Sequence, residues 1–305
     1  MRPPLFTFLT FNRLGNTCIS LESVLQSPDD FEMYIIDNGS KDFTWDYLNT
    51  IDDPRIKDRK RFDSNFGIAA LNYALSFRKE DQDWVNVEPD THIHNKNFIS
   101  EFKKASEFYP EFGYFSGMLY GGDVPLTVIS HDYVKTMVDT YPQTVIQRGQ
   151  YRVWDSGVGM TGYCLYIPSN VMNQLMFLDE VSYGADVDLN CRIMKGLKKK
   201  AGFVFNIGCS MIGTDCKICL SYGNICPGQN ICNKIYSRVT STFIAKRGTW
   251  TTDVINQRIS GKLPLKCDSI FGQQISDSDK AQSLKNIEEL KNIYDEYLRT
   301  MGYQK

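Results

Sequence analysis

The sequence predicts an α/β protein, a mostly parallel sheet with helices on both faces. Three observations predict it. Short apolar runs alternate with segments of helical apolar spacing through the first 110 residues, the pattern of strands joined by crossover helices. The runs stop at polar turn formers instead of continuing into further apolar sequence. Hydrophobic residues make up 42% and charged residues 23% of the 305, ordinary globular usage that excludes disordered and fibrous classes.

Leu5–Phe11 is an apolar run ending at Asn12 and reads as a buried strand. Asn16–Gln26 follows as a helix, with Cys18, Ile19, Leu21, Val24 and Leu25 at helical spacing. Phe31–Ile36 is a second strand, stopped by Asp37-Asn38-Gly39-Ser40, a turn by composition because Asn and Gly tolerate positive φ. Ile68–Phe77 reads as a helix, Trp84–Val87 as a third strand broken at Pro89, and Asn97–Phe108 as a helix. Further on, the pattern predicts a strand at Leu126–Ile129, a helix from Ser130 to Val138 and a strand at Gly159–Ile167. A helix at Pro168–Met176, one at Ala185–Leu197 and a strand at Gly202–Ile207 follow. Residues 208–271 are Cys-, Gly- and Thr-rich and irregular, and Asp277–Met301 is a long amphipathic helix. Ligands in parallel sheets bind beyond the carboxyl ends of the strands. The residues there are Asn12-Arg13, Asp37-Asn38 and Glu88-Pro89-Asp90, so three strands aim acceptors and a guanidinium at one rim.

Lys and Arg number 34 against 36 Asp and Glu, a formal charge of −2. With no basic excess to displace counterions, nucleic acid is not an expected partner. The N-terminal apolar run is short for a secretory segment, and no stretch approaches the roughly 20 apolar residues of a membrane span. A cytoplasmic protein is expected, with attachment to the inner face of a membrane as the alternative. The nine Cys are odd in number, and five fall between Cys209 and Cys232, so a disulfide framework spread over the chain is not expected.

The motifs form an ordered set. Thr10-Phe11-Asn12-Arg13 is followed by Asp37-Asn38-Gly39-Ser40-Lys41-Asp42, then Asn65-Phe66-Gly67-Ile68-Ala69-Ala70-Leu71-Asn72, then Glu88-Pro89-Asp90. Gly162–Ile167, Phe177-Leu178-Asp179-Glu180 and Ala185-Asp186-Val187-Asp188-Leu189-x-x-Arg192 complete the set. This set resembles the family 2 glycosyltransferases, over about two thirds of the chain, from Leu5 to Ile207. Leu9 stands where the family usually has Pro, and Ala185 where it has Glu. No His follows the last core strand, where Ile207-Gly208-Cys209-Ser210 is found. The resemblance implies a GT-A domain over residues 1–207, with residues 208–305 as a Cys-rich segment and helix packed on or following it.

It also implies a reaction. A nucleotide-diphosphate sugar would donate a hexosyl or related group to a carbohydrate or glycolipid hydroxyl by one inverting displacement. The resemblance puts Asp37 on the nucleobase or ribose, with Thr10, Asn12, Arg13, Asn38, Asn65, Gly67 and Glu88 lining the donor pocket. A Mn²⁺ or Mg²⁺ ion would offset the leaving diphosphate. Asp90 is its candidate ligand, with Glu88 and His92 competing as the second, since alternate residues of an extended segment share a side. Asp186 would be the general base, with Asp188 as the neighbouring alternative.

Other readings compete with these. A non-catalytic carbohydrate- or partner-binding module on the same scaffold is the alternative to an enzyme, and the oligomeric state is open. Cys216, Cys219, Cys226 and Cys232 could hold a structural zinc, the first two at C-x2-C spacing, or pack as small apolar fillers. Tyr151, Arg152 and Trp154 could form a sugar-stacking wall or belong to the core.

Overall fold

The computed structural model describes residues 2–40, 42–63, 67–119, 128–129, 144–157, 163–179, 185–212, 257–258 and 260–267. The expected helices at 130–138 and 277–301, the four-cysteine cluster and Asn65 lie outside the described residues.

The first half of the sheet alternates as expected, with α2, β3 and β5 added to the elements read from the sequence. Strand β1 (Leu5–Thr10), helix α1 (Leu14–Leu25) and strand β2 (Glu32–Asp37) are followed by α2 (Thr44–Thr50) and β3 (Ile56–Arg61). A 3₁₀ turn at Gly67–Ala70 leads into α3 (Leu71–Leu75), then β4 (Trp84–Val87), β5 (Thr91–Ile93) and α4 (Phe98–Phe108). Beyond them lie β6 (Phe112–Leu119), β7 (Val128–Ile129), β8 (Val145–Arg148), β9 (Tyr151–Asp155) and β10 (Cys164–Ile167). The described elements end with α5 (Ser169–Leu175), α6 (Ala185–Cys191) and β11 (Lys200–Ile212).

The strands form one sheet in the order β3-β2-β1-β4-β10-β6-β11-β9-β8. The block β3-β2-β1-β4 is parallel, and so is the pair β6 and β11. Strand β10 runs antiparallel between β4 and β6, and β9 and β8 close the far edge antiparallel. Thr10 pairs with Asp37 and Phe8 with Val87. The carboxyl ends of β1, β2 and β4 therefore reach the same rim.

Two strands carry weak sequence signals for opposite reasons. Strand β3 reads Ile-Lys-Asp-Arg-Lys-Arg and is half-exposed at the sheet edge, where charge discourages pairing with other chains. Strand β6 is buried throughout despite its small residues. A Cβ at Gly117 would stand 3.0 Å from Cys209 Sγ and 3.3 Å from Ile207, so the gap between β6 and β11 admits only glycine there. Strand β11 shifts register between Val204 and Gly208, and its last residues, Cys209–Met211, turn to pair antiparallel with β5.

The aromatic residues, 13% of the chain, are largely core. Phe6 packs on Phe31 at 5.2 Å, Phe102 stacks on Tyr166 at 5.6 Å, and Trp154 stacks on Phe203 at 5.3 Å. Each buried ring contributes about 1.5–3 kcal/mol of burial. Trp84 is fully buried and donates Nε1–H to Thr7 Oγ1 at 2.9 Å, and Thr7 in turn donates to Asn86 at 2.8 Å, so the deepest polar atoms of this region are paired. Tyr151 and Trp154 are buried, and Arg152 lies over the Phe205 ring at 4.3 Å. The Tyr151 and Trp154 rings pack as core, and Arg152 is exposed. Among the described residues, no helix is long and apolar enough to cross a membrane.

Candidate functional site

The turn after β1 is wound left-handed at two successive residues, Asn12 (φ 54°) and Arg13 (φ 63°). Asn tolerates this region, but Arg does so at a cost of roughly 1–2 kcal/mol. Surrounding bonds hold it there. Asn12 N–H donates to Ser40 Oγ at 2.7 Å, and the Arg13 carbonyl accepts from Thr17 N–H at 3.0 Å in the first turn of α1. Thr10 Oγ1 meets Thr17 Oγ1 at 2.7 Å. The bend carries the Arg13 side chain to Asp90, where Nη1 donates to Oδ2 at 2.9 Å.

The Asp37–Ser40 turn is the second part of the rim. Asp37 is fully buried. Its Oδ1 accepts from the Ser40 N–H at 3.0 Å and from the Ser40 hydroxyl. Its Oδ2 lies 3.2 Å from Arg61 Nε but has no aligned hydrogen-bond partner among the described residues. Gly39 sits at φ 85°, which makes glycine the fitting residue at that corner. Asn38 donates its backbone N–H to the Thr10 carbonyl at 2.8 Å and its amide to the Gly67 carbonyl at 3.0 Å. Thr10, Asn12, Arg13, Asp37, Asn38 and Gly67 are thus gathered at one place. Asp42 ties two helices to it, accepting from Leu14 N–H at 3.1 Å and from Thr44 N–H at 3.0 Å. Burial pushes the Asp37 carboxyl above its ordinary range, against the Ser40 hydrogen bonds and Arg61, while the Asp42 charge adds to the rise.

The third part follows β4. Glu88 N–H donates to the Tyr163 carbonyl at 2.9 Å, and its carbonyl accepts from Ser20 Oγ at 2.9 Å. Asp90 and His92 stand on the adjoining segment, with Ser210 opposite His92 on β11. Asp90 Oδ1 and His92 Nδ1 are buried polar atoms with no hydrogen-bond partner among the described residues. An oxygen and an imidazole nitrogen left bare at alternate positions are a donor pair suited to a hard divalent cation. Burial and the neighbouring His94 hold the His92 pKa below its ordinary value, so the ring is neutral, as a metal ligand must be. Burial likewise pushes the Asp90 carboxyl up, with Arg13 opposing. Cys209 is fully buried, its Sγ 3.5 Å from the Met118 carbonyl, and burial pushes its thiol well up. It stands in the core, and Ser210 bonds His94 Nε2 at 2.7 Å.

Asp186 lies on α6, and its side chain is outside the described residues. Asp188, the neighbouring alternative, is fully buried and held by two guanidiniums: Oδ2 by Arg192 Nε at 2.7 Å, Oδ1 by Arg258 Nε at 2.9 Å. Both of its oxygens are engaged, and none of its surface is exposed to a substrate. Two basic residues of this arrangement, Arg61 and Arg258, carry no local signal in the sequence, since one sits in a charged edge strand and the other in an irregular segment.

The family profile described as Glycosyl transferase family 2 matches residues 8–87, the stretch from β1 to β4, and bears out the resemblance read from the motifs. No curated protein matches the chain. A mannosyltransferase, PcManGT from Pyrobaculum calidifontis, solved with GDP-Man and Mn²⁺, is similar in structure with a TM-score of 0.51 at 15% identity, over 68% of this chain and 56% of its own. S. aureus TarS 1-349 in complex with UDP-GlcNAc gives a TM-score of 0.48 at 12% identity, over 68% of this chain and 58% of its own. At such identity the likeness to the mannosyltransferase carries the fold, GT-A, and the chain spans little more than half the length of these neighbours.

Proposed function

We propose that this chain is a nucleotide-sugar-dependent glycosyltransferase. One observation carries the reading. The register of β1, β2 and β4 brings Arg13, Asp37, Asn38 and Asp90 to one rim, within and just beyond the stretch that the family profile matches. The Asp37 Oδ2 atom accepts a ligand N–H or O–H, from nucleobase or ribose. Arg13 leaves or shares Asp90 and offsets diphosphate charge. Asp90 Oδ1 and His92 Nδ1 would hold the divalent ion, with Glu88 as the competing second ligand, and that ion would supply Lewis-acid neutralisation of the leaving group. Asp186 takes the proton from the acceptor hydroxyl as it attacks the anomeric carbon. With no enzyme nucleophile in the scheme, one displacement inverts that centre. The acceptor is a carbohydrate or glycolipid hydroxyl, and the group moved is a hexose or close relative.

The test is donor turnover. Purified protein is incubated with Mn²⁺ and a panel of UDP- and GDP-sugars, and nucleotide diphosphate release is followed with and without candidate glycan acceptors. Release from one donor, raised by an acceptor, is expected. No release from any donor overturns the enzyme reading and leaves the binding module.

The raised Asp37 pKa has a consequence that can be measured. A carboxyl whose folded pKa is raised is protonated first as pH falls, and stability it contributes in the protonated form is lost as pH rises through the folded value. Nucleotide binding needs the ionised acceptor. As pH is lowered, nucleotide affinity is therefore expected to fall already above the ordinary Asp range. In Asp37→Asn it is expected to be weaker by roughly tenfold and flat across that window. Titration calorimetry with nucleotide diphosphate at several pH values checks this, and an unaltered pH dependence in Asp37→Asn would remove Asp37 from the pocket.

A further inference from the structure

Far along the chain from the matched stretch, residues 257–258 and 260–267 lie against α5 and α6. Cys267 N–H donates to the Leu175 carbonyl at 3.0 Å, and Arg192 Nη1 donates to the Leu265 carbonyl at 3.1 Å. The Arg258 side chain, 8% exposed, enters between two carboxylates. Its Nη2 is 2.5 Å from Asp179 Oδ2, its Nε 2.9 Å from Asp188 Oδ1, and Nη1 donates to the Pro264 carbonyl. Asp179, Asp188 and Cys267 offer ligand atoms within 4.8 Å of one another, which is the outline of a cation site. The guanidinium is the cation, with Nη2 also 3.1 Å from Cys267 Sγ. Burial keeps that thiol protonated, so two carboxylates meet two guanidiniums, Arg258 and Arg192, and the cluster is neutral.

Helix α6 spans only Ala185–Cys191 before its last turn loosens into a π turn at Arg192–Gly196. A helix of two turns has little stability of its own, so tertiary ties set its place. One tie, Asp188 to Arg192, lies within the helix and its π turn. The other, Asp188 to Arg258, comes from a segment that the family resemblance does not reach. Asp186 stands two residues before Asp188 on the same helix.

We infer that Arg258 is a positioning residue for sugar transfer: through Asp188 it fixes the helix that presents Asp186 to the acceptor. This rests on the glycosyltransferase reading above. Lys is a point charge and cannot fork between two carboxylates, so Arg258→Lys keeps the buried charge and loses the geometry. In this variant kcat is expected to fall about ten- to a hundredfold, with donor KM within about twofold and melting still cooperative. Hydrogen exchange is expected to rise in peptides covering residues 185–191 and to stay as in the wild type across β1–β4. In Arg258→Ala, added guanidinium ion at millimolar concentration is expected to restore part of kcat. Wild-type kcat and wild-type α6 exchange in a folded Arg258→Lys protein overturn the inference. So does a parallel fall of kcat and donor affinity that tracks the unfolded fraction. If the wild type turns over no donor, the glycosyltransferase reading fails by itself, and the exchange arm still decides whether Arg258 holds α6.

Discussion

Asp90→Asn is expected to slow sugar transfer by about a thousandfold or more, the scale of losing a charge that stabilises a developing anion in an excluded site. The substitution keeps the shape of the side chain. It removes the charge from a group whose Oδ1 is buried with no hydrogen-bond partner among the described residues and whose Oδ2 holds Arg13 at 2.9 Å. Two effects then act together. The cation loses its anionic ligand, and Arg13 loses the counterion that orients it at the end of a left-handed turn. The fold is expected to survive, because Asp90 lies at the rim and the buried strands do not lean on it. Mn²⁺ affinity, measured by calorimetry without donor, is expected to fall with the rate. A variant that transfers sugar within tenfold of wild type at saturating Mn²⁺ would show that Asp90 is not the ligand.

Asp186→Asn is expected to lower kcat by about a hundred- to ten-thousandfold, the range for loss of a general base, while nucleotide-sugar affinity stays near wild type. The contrast with Asp90→Asn separates proton removal from donor binding. The acid limb of the pH–rate profile is expected to vanish with the carboxylate. Asp188 cannot inherit the role, since abandoning Arg192 and Arg258 would strand buried charge at a cost of several kcal/mol. Near-normal turnover in Asp186→Asn would place the base on another element.

The gathering of the strand ends at one rim was legible because its information is local. Asn12-Arg13, Asp37-Asn38 and Glu88-Pro89-Asp90 each follow an apolar strand directly, and parallel register does the rest. What stayed hidden depends on partners far along the chain. Strand β3 is charged because it is an edge, so apolar patterning passes over it. Strand β6 is interrupted by glycines, one of which, Gly117, its neighbour β11 requires. Cys209 stands just after the last expected core strand, where no His is found, and the pleat of β11 turns it into the core and gives the other face to Ser210. Arg258 reads as one more basic residue in an irregular stretch until the fold sets it between Asp179 and Asp188.

The bent end of β11 also sets an order of events during synthesis. The proposed nucleotide side of the rim is built from β1, β2 and the turns that follow them, all of which precede β11 in the chain. The proposed metal side is not complete until β11 follows, since His92 sits on β5 and β5 pairs with Cys209–Met211. The bond from His94 to Ser210 closes a separation of 116 residues. Pairing at such separation forms late, after its loop entropy has been met. The turns after β1 and β2 can therefore take shape before the segment that carries Asp90 and His92 is fixed, and the two halves of the rim mature at different times.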